Sequence, residues 1–81
     1  MEAFVRLSNL KNLHDSKRIE RNLHRILDVS LISIDIQDQA LRFHYDEPGV
    51  YEEVVRELKR LGNPVIKCIY REKDKLIPTS Q

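Results

Sequence analysis

Two neighbouring segments in the middle of the chain alternate apolar and polar residues. In the first, LISIDIQ, the apolar positions are Ile32, Ile34 and Ile36. In the second, ALRFHYD, they are Leu41, Phe43 and Tyr45. A period of two predicts half-buried β-strands. A turn at Asp38 and Gln39 would pair Ile36 with Leu41, so that the two apolar faces coincide in one hairpin.

Two helices are predicted from apolar residues that recur at helical spacing. The first spans residues 16–28, and its stripe is Ile19, Leu23, Ile26 and Leu27. The second spans residues 50–61, and its stripe is Val50, Val54, Leu58 and Leu61. Gly62 stands where a helix C-terminal cap is expected, and Pro64 prevents the helix from continuing.

The two ends of the chain add one strand each. Residues 3–8 alternate, with Ala3, Val5 and Leu7 on the apolar side. The segment VIKCIY is apolar apart from Lys67, so its pattern leaves the face of Cys68 open. The order strand–helix–strand–strand–helix–strand predicts an α+β, ferredoxin-like βαββαβ fold. Its four-stranded antiparallel sheet carries both helices on one face. We expect residues 1–72 to form this domain and residues 73–81 to form a charged, flexible tail.

Composition limits the class of protein. The chain has 81 residues, enough for one small core, with 41% hydrophobic and 33% charged residues. A net charge of +1 argues against a nucleic-acid-wrapping protein. The outward sheet positions Phe4, Arg42 and His44 also lack the glycine–aromatic run of an RNA-recognition motif. With no signal-peptide pattern and no long apolar run, we expect a cytoplasmic protein that neither binds nucleic acid nor inserts into membranes.

The chain carries no arrangement that is typical of an enzyme. The spacings of a Ser–His–Asp or a Cys–His site are missing, as are a phosphate-binding glycine loop and a close pair of carboxylates in apolar surroundings. Both glycines, Gly49 and Gly62, are explained by turns. The single cysteine, Cys68, cannot form an internal disulfide. We therefore predict that the protein is not an enzyme.

Three segments resemble, in order and spacing, the heavy-metal-associated domain of copper chaperones and mercury-binding proteins. They are IERNL at residues 19–23, LDVSLISIDIQDQALRFHYDEP around the hairpin, and LGNPV at residues 61–65. The resemblance covers residues 3–70. It implies a ferredoxin-like fold, a metal-binding loop between the first strand and the first helix, and a helix pair that docks oppositely charged partners.

The resemblance breaks in the loop that should hold the metal. Asn12 and Asp15 stand where the family has its two cysteines, and Leu10 stands where it has a methionine. Cu(I) prefers sulfur ligands, so Cu(I) binding is not expected here and no cofactor is predicted. A weak divalent-metal site built from Asn12, His14 and Asp15 is an alternative. The competing interpretation makes Asp15 the helix N-cap and Asn12 a turn residue.

Charge is distributed unevenly along the chain. Residues 11–25 hold two acidic residues and five basic ones, which are Lys11, Lys17, Arg18, Arg21 and Arg25. Residues 46–57 hold five acidic residues against one basic residue. We take the five basic residues as a candidate surface on the first helix for an acidic protein partner.

These observations predict a protein-interaction or regulatory module related to metal-ion trafficking. Its partner is either an acidic protein surface or a second copy that pairs through the last strand, because an apolar edge strand pairs readily with another strand. The alternative function is metal-ion binding or transport through non-thiolate ligands in the loop at residues 12–15.

Overall fold

The computed structural model describes residues 1–72. Its elements in chain order are β1 (Glu2–Leu7), α1 (Leu13–Leu23), β2 (Val29–Asp35), β3 (Ala40–Tyr45), α2 (Pro48–Arg60) and β4 (Val65–Arg71). The strands form one antiparallel sheet in the order β2-β3-β1-β4. This confirms the predicted α+β fold with its ferredoxin-like arrangement. The predicted tail, residues 73–81, lies outside the described residues.

One core joins the sheet to both helices. The sheet contributes the buried side chains of Ala3, Val5, Leu7, Leu41, Phe43 and Tyr45. The helices contribute Ile19, Leu23, Tyr51, Val54 and Leu58. Because both helices pack into the same cluster, they cover the same face of the sheet. Burying each large apolar side chain stabilises the fold by roughly 1.5–3 kcal/mol.

The first helix is shorter than its pattern predicts. It begins at Leu13 because the side chain of Asn12 caps it, and it ends at Leu23. Leu27, which was predicted on the buried stripe, is 83% exposed, whereas Ile26 still packs against the core. Asp28 has a φ of +68°, and this left-handed residue redirects the chain into β2.

The second strand contains a bulge that the alternating pattern does not reveal. A register shift between Leu31 and Ser33 leaves Ile32 without a partner on β3. Ile32 is consequently 50% exposed, and the prediction that it shares the buried face of Ile34 is wrong. Ahead of the bulge, Val29 and Leu31 pack against the core instead. An extra residue in one strand changes the face that the preceding side chains occupy.

The hairpin register differs by two residues from the prediction. Ile34, rather than Ile36, pairs with Leu41. A longer turn forms because the Oδ1 atom of Asp35 accepts a hydrogen bond from the backbone N–H of Asp38 at 3.1 Å. A shift by an even number of residues leaves each side chain on its own face, so the apolar faces of the two strands still coincide.

The end of α2 confirms the predicted stop at Gly62. The Gly62 N–H donates to the carbonyl of Lys59 at 3.1 Å, and the Asn63 N–H donates to the carbonyl of Leu58 at 2.9 Å. These two bonds are those of a Schellman cap. Gly62 has a φ of +89°, which a glycine adopts without strain.

Candidate functional site

The loop between β1 and α1 carries the three predicted metal ligands. The Oδ1 atom of Asn12 accepts a hydrogen bond from the backbone N–H of Asp15 at 2.9 Å. The Oδ2 atom of Asp15 accepts one from the backbone N–H of Lys11 at 3.1 Å. The interpretation of Asp15 as the N-cap is therefore wrong, because Asn12 is the N-cap and Asp15 lies in the first turn of α1. His14 is exposed.

The structure thus brings Asn12 and Asp15 together but engages one oxygen of each with the backbone. Within residues 1–72, no group of three or more His, Cys, Asp or Glu side chains is arranged to hold a metal ion. A metal that recruits these two oxygens has to displace capping bonds, and losing an N-cap costs about 1 kcal/mol. The non-thiolate metal site stays a prediction.

A buried asparagine joins this loop to the turn before β4. Asn63 is fully buried, and its Nδ2 donates to the carbonyl of Ser8 at 3.1 Å. Its Oδ1 accepts a hydrogen bond from the Nη2 of Arg18 at 3.1 Å. The same Nη2 atom approaches the Oδ1 of Asp15 at 3.5 Å. Since each polar group of Asn63 is satisfied, its burial carries little penalty.

Two of the predicted partner-binding residues do not stand free on the surface of α1 as predicted. Arg18 is half-buried and holds the loop to the turn, so its guanidinium is not a free charge for docking. Arg25 lies beyond the end of α1 and not on the helix face that the prediction assigned to it.

Four of the five predicted cations are exposed, and three of these lie on α1 or just before it. We call Lys11, Lys17 and Arg21 the basic patch. Lys17 and Arg21 lie one turn apart on the same face of the helix. Among the described residues, none of these three cations forms an ion pair with a carboxylate.

The second helix is less acidic than the sequence window suggests. The window ends at residue 57, but α2 continues to Arg60 and so gains Lys59 and Arg60. Arg60 forms a hydrogen bond and an ion pair with Glu57 on the helix surface, which lowers the pKa of the Glu57 carboxyl. The acidic face is therefore confined to the first part of α2 and the segment before it.

The last strand forms one edge of the sheet and exposes apolar side chains. Ile66 is 61% exposed, Ile69 is 40% exposed and Tyr70 is 51% exposed. Cys68 is also exposed. Between them stands one charged side chain, Lys67. In the described sheet β4 pairs only with β1, which confirms the predicted position of this strand at an edge. We call residues 66–70 the β4 edge.

The pairing of β4 with β1 decides the face of Cys68. Cys68 pairs with the buried Val5, and Lys67 pairs with the exposed Arg6. Directly paired residues lie on the same face of a sheet, so Cys68 lies on the helix-covered face and Lys67 on the open face. Register shifts on either side of this pair leave Ile66 and Ile69 as bulge residues.

Cys68 also touches the core through a tyrosine of α2. Burial, and next a hydrogen bond with the Cys68 thiol, raise the pKa of Tyr51 to about 12. The Arg71 guanidinium lies over the Tyr51 ring, 3.8 Å from the ring centroid. The β4 edge is thus anchored to α2 on one side, while no strand of the described residues pairs with its outer side.

The open face of the sheet has its own internal contacts. Arg42 lies over the ring of Phe4, 4.6 Å from the centroid, and its Nη1 donates to the Oε2 of Glu2 at 2.7 Å. On the other side of Phe4, Tyr70 is its pairing partner in β4. Phe4 therefore has one ring face occupied by a protein cation.

Sequence reasoning overlooked Asn63 and the bulges. The only signal for Asn63 was a polar residue directly after the cap glycine, at a position that often packs against the helix. Arg18 was recognised as a charge but not as its partner, because the two residues are far apart in the chain.

Comparisons with protein-family models, with curated proteins and with solved structures found no significant match to the chain. In the part of the chain that the structure describes, neither helix is long and apolar enough to cross a membrane. The fold defines a small α+β domain of ferredoxin-like arrangement. The resemblance to heavy-metal-associated domains stays a prediction.

Proposed function

We propose that this chain is a protein-interaction module that binds another strand along the β4 edge. The observation that carries the proposal is the exposure of Ile66, Ile69 and Tyr70 on a strand that has no neighbour on its outer side within residues 1–72. Edge strands of natural proteins usually carry charges that discourage such pairing. Here one lysine interrupts an otherwise apolar row.

An added strand would gain affinity from the main chain of β4 and specificity from its exposed side chains. The outward N–H and C=O groups of β4 provide main-chain hydrogen bonds to an added strand, and the exposed side chains provide the apolar contact. Phe4 lies beside Tyr70 on the open face and extends this apolar surface inward from the edge. The bulges at Ile66 and Ile69 shorten the regular part of the edge, which favours reversible binding.

The contacts of the loop support interaction over metal transport. One oxygen each of Asn12 and Asp15 accepts a hydrogen bond from a backbone N–H, and His14 is exposed. The link to metal-ion trafficking rests on the sequence resemblance alone. If metal transport is the function, a Zn²⁺ titration should shift the amide signals of the loop, and a His14→Ala variant should abolish that shift.

The basic patch supports a second docking mode. Lys11, Lys17 and Arg21 are exposed. They lie on or beside the first helix, where the resemblance implies that an oppositely charged partner docks. A poly-glutamate peptide should then shift the amide signals of residues 11–21 more than those near the exposed control Lys59. Raising the salt should suppress the shifts, because exposed charges are screened. Equal shifts near Lys59 would contradict a specific patch.

The test of the β4 edge is a titration of the isotope-labelled full chain with a short peptide of alternating threonine and valine. We expect saturable amide shifts in β4 and none in β2, the opposite edge. An Ile69→Lys variant should lose the response, and Ile32→Lys, a matched change at the other edge, should keep it. Absence of β4 shifts at near-millimolar peptide would overturn the proposal.

A further inference from the structure

We propose that the strand added to the β4 edge is β4 of a second copy of this chain, antiparallel to the first, with Cys68 opposite Cys68 of the second copy. The inference rests on the proposed function and names its partner. It follows from the symmetry of such a pair and from where the charges lie on β4.

Two identical subunits associate most often about a two-fold axis, and the same surface patch is then used on both. An axis perpendicular to the sheet keeps each side chain on its own face. Neighbouring side chains along a strand alternate between the faces. This alternation holds at the centre of β4, where Lys67 and Cys68 lie on opposite faces. The faces therefore match only when one residue of β4 lies opposite its own copy.

Charge distinguishes the three central registers. A register centred on Lys67 sets Lys67 against Lys67, and one centred on Ile69 sets Lys67 against Arg71 twice. Like charges directly opposite each other destabilise a strand pair. A register centred on Cys68 avoids both encounters, because it sets Ile66 against Tyr70 and Lys67 against Ile69. It therefore pairs the exposed apolar side chains with one another.

Length favours the same register. Cys68 is the middle residue of the seven-residue strand Val65–Arg71, so a pair centred there overlaps the full length of the strand, interrupted at the bulge residues Ile66 and Ile69. Centring on Lys67 or Ile69 leaves two residues unpaired at one end of each copy. The pair would join the two sheets into one continuous sheet, with α2 of each copy on the same side.

The register can be tested by disulfide formation between the two Cys68 thiols. Residues directly opposite each other in an antiparallel pair have Cβ atoms about 4.5–5.5 Å apart, close to the separation that a disulfide requires. An added oxidant such as diamide should then link the two copies. The two thiols lose two protons and two electrons as the S–S bond forms, and diamide is reduced to the hydrazine.

The association state of the full chain in reductant is measured by sedimentation, from dilute to near-millimolar protein. The reductant is then removed, and a small amount of glutathione is added with an excess of diamide, so that thiols that meet only by random collision are capped as mixed disulfides with glutathione. We expect a reversible dimer and a disulfide dimer through Cys68. Two control variants carry Cys68→Ser together with Lys67→Cys or Ile69→Cys. Their thiols are exposed but displaced by one residue, so the dimer yield should fall roughly tenfold or more.

Each outcome decides a separate point. A dimer trapped preferentially through residue 67 or 69 would overturn the register. A chain that stays monomeric at every concentration would overturn the second copy as the partner. If that monomer still binds the threonine–valine peptide on β4, the proposed function stands; if it does not, both proposals fail. A Cys68→Ser variant that dimerises like the wild type shows that pairing does not depend on the disulfide, and supports the inference.

Discussion

The Nη2 of Arg18 donates a hydrogen bond to the Oδ1 of Asn63 at 3.1 Å, although the two residues are 45 positions apart in the chain. This bond links the first helix to the turn that precedes β4. The loop between β1 and α1 is therefore held in place by contacts within the protein itself.

Replacing Asn63 with alanine should destabilise the fold by about 1–3 kcal/mol. The substitution leaves the carbonyl of Ser8 and the Nη2 of Arg18 without their buried partner, and such unsatisfied groups are costly. Chemical denaturation measures the change. Gln37→Ala, at an exposed turn residue, is the control and should alter stability by less than about 0.5 kcal/mol.

A double-mutant cycle with Arg18→Ala separates the bond from the rest of the site. We expect a coupling energy between Arg18 and Asn63 of about 0.5–3 kcal/mol, the range for residues in one network. Strictly additive effects of the two substitutions on the free energy of unfolding would mean that the Arg18–Asn63 bond does not stabilise the fold.

Asn12→Ala should cost about 1 kcal/mol, because the substitution removes the N-cap of α1. His14→Ala, two residues later on the exposed surface, should leave the free energy of unfolding within about 0.5 kcal/mol of wild type. Thermal unfolding of both variants in metal-free buffer measures the difference. If the two variants behave alike, the capping role of Asn12 is wrong.

The two glycines should respond to alanine with opposite signs. Gly62 has a φ of +89°, so Gly62→Ala strains the backbone by roughly 1 kcal/mol or more, although nothing blocks the added methyl group. Gly49 lies in the first turn of α2 with open space around it. Gly49→Ala should stabilise the protein by about 0.4–1 kcal/mol. Denaturant midpoints compare the pair, and a stabilising Gly62→Ala would contradict the Schellman cap.

Alkaline pH should destabilise the protein through Tyr51. Burial raises the pKa of Tyr51 from 10.0 to about 12, so the folded state favours the protonated phenol. Its contribution to stability is fully present below pH 10 and is lost as the pH rises towards 12. Phenolate absorbance should show a late step that disappears in Tyr51→Phe and persists in Tyr70→Phe. A late step that survives in Tyr51→Phe would assign it to another tyrosine.

The elements and most of the core could be predicted from the sequence because they depend on local chemistry. The alternation around Leu41, Phe43 and Tyr45 defines one buried face whatever the exact turn. Gly62 followed by Pro64 marks a helix end by backbone geometry alone. The error at the start of α1 arose because Asn12 and Asp15 are both good capping residues, and only the three-dimensional contacts choose between them.

The site depends on relationships between distant segments, and these were not predictable. The bulge at Ile32 reflects how β2 pairs with β3, which alternation within one strand cannot show. The partnership of Arg18 and Asn63 requires the packed fold. The face of Cys68 was undecided because β4 is apolar on both sides, and its pairing with Val5 resolves the question.

Amide hydrogen exchange of the full chain, compared between dilute and near-millimolar protein, tests most directly whether the β4 edge pairs with a second copy. We predict that protection of the amides in Val65–Arg71 rises with protein concentration, while protection of those in Val29–Asp35, at the opposite edge, stays the same. Equal protection of the β4 amides at both concentrations would contradict the pairing.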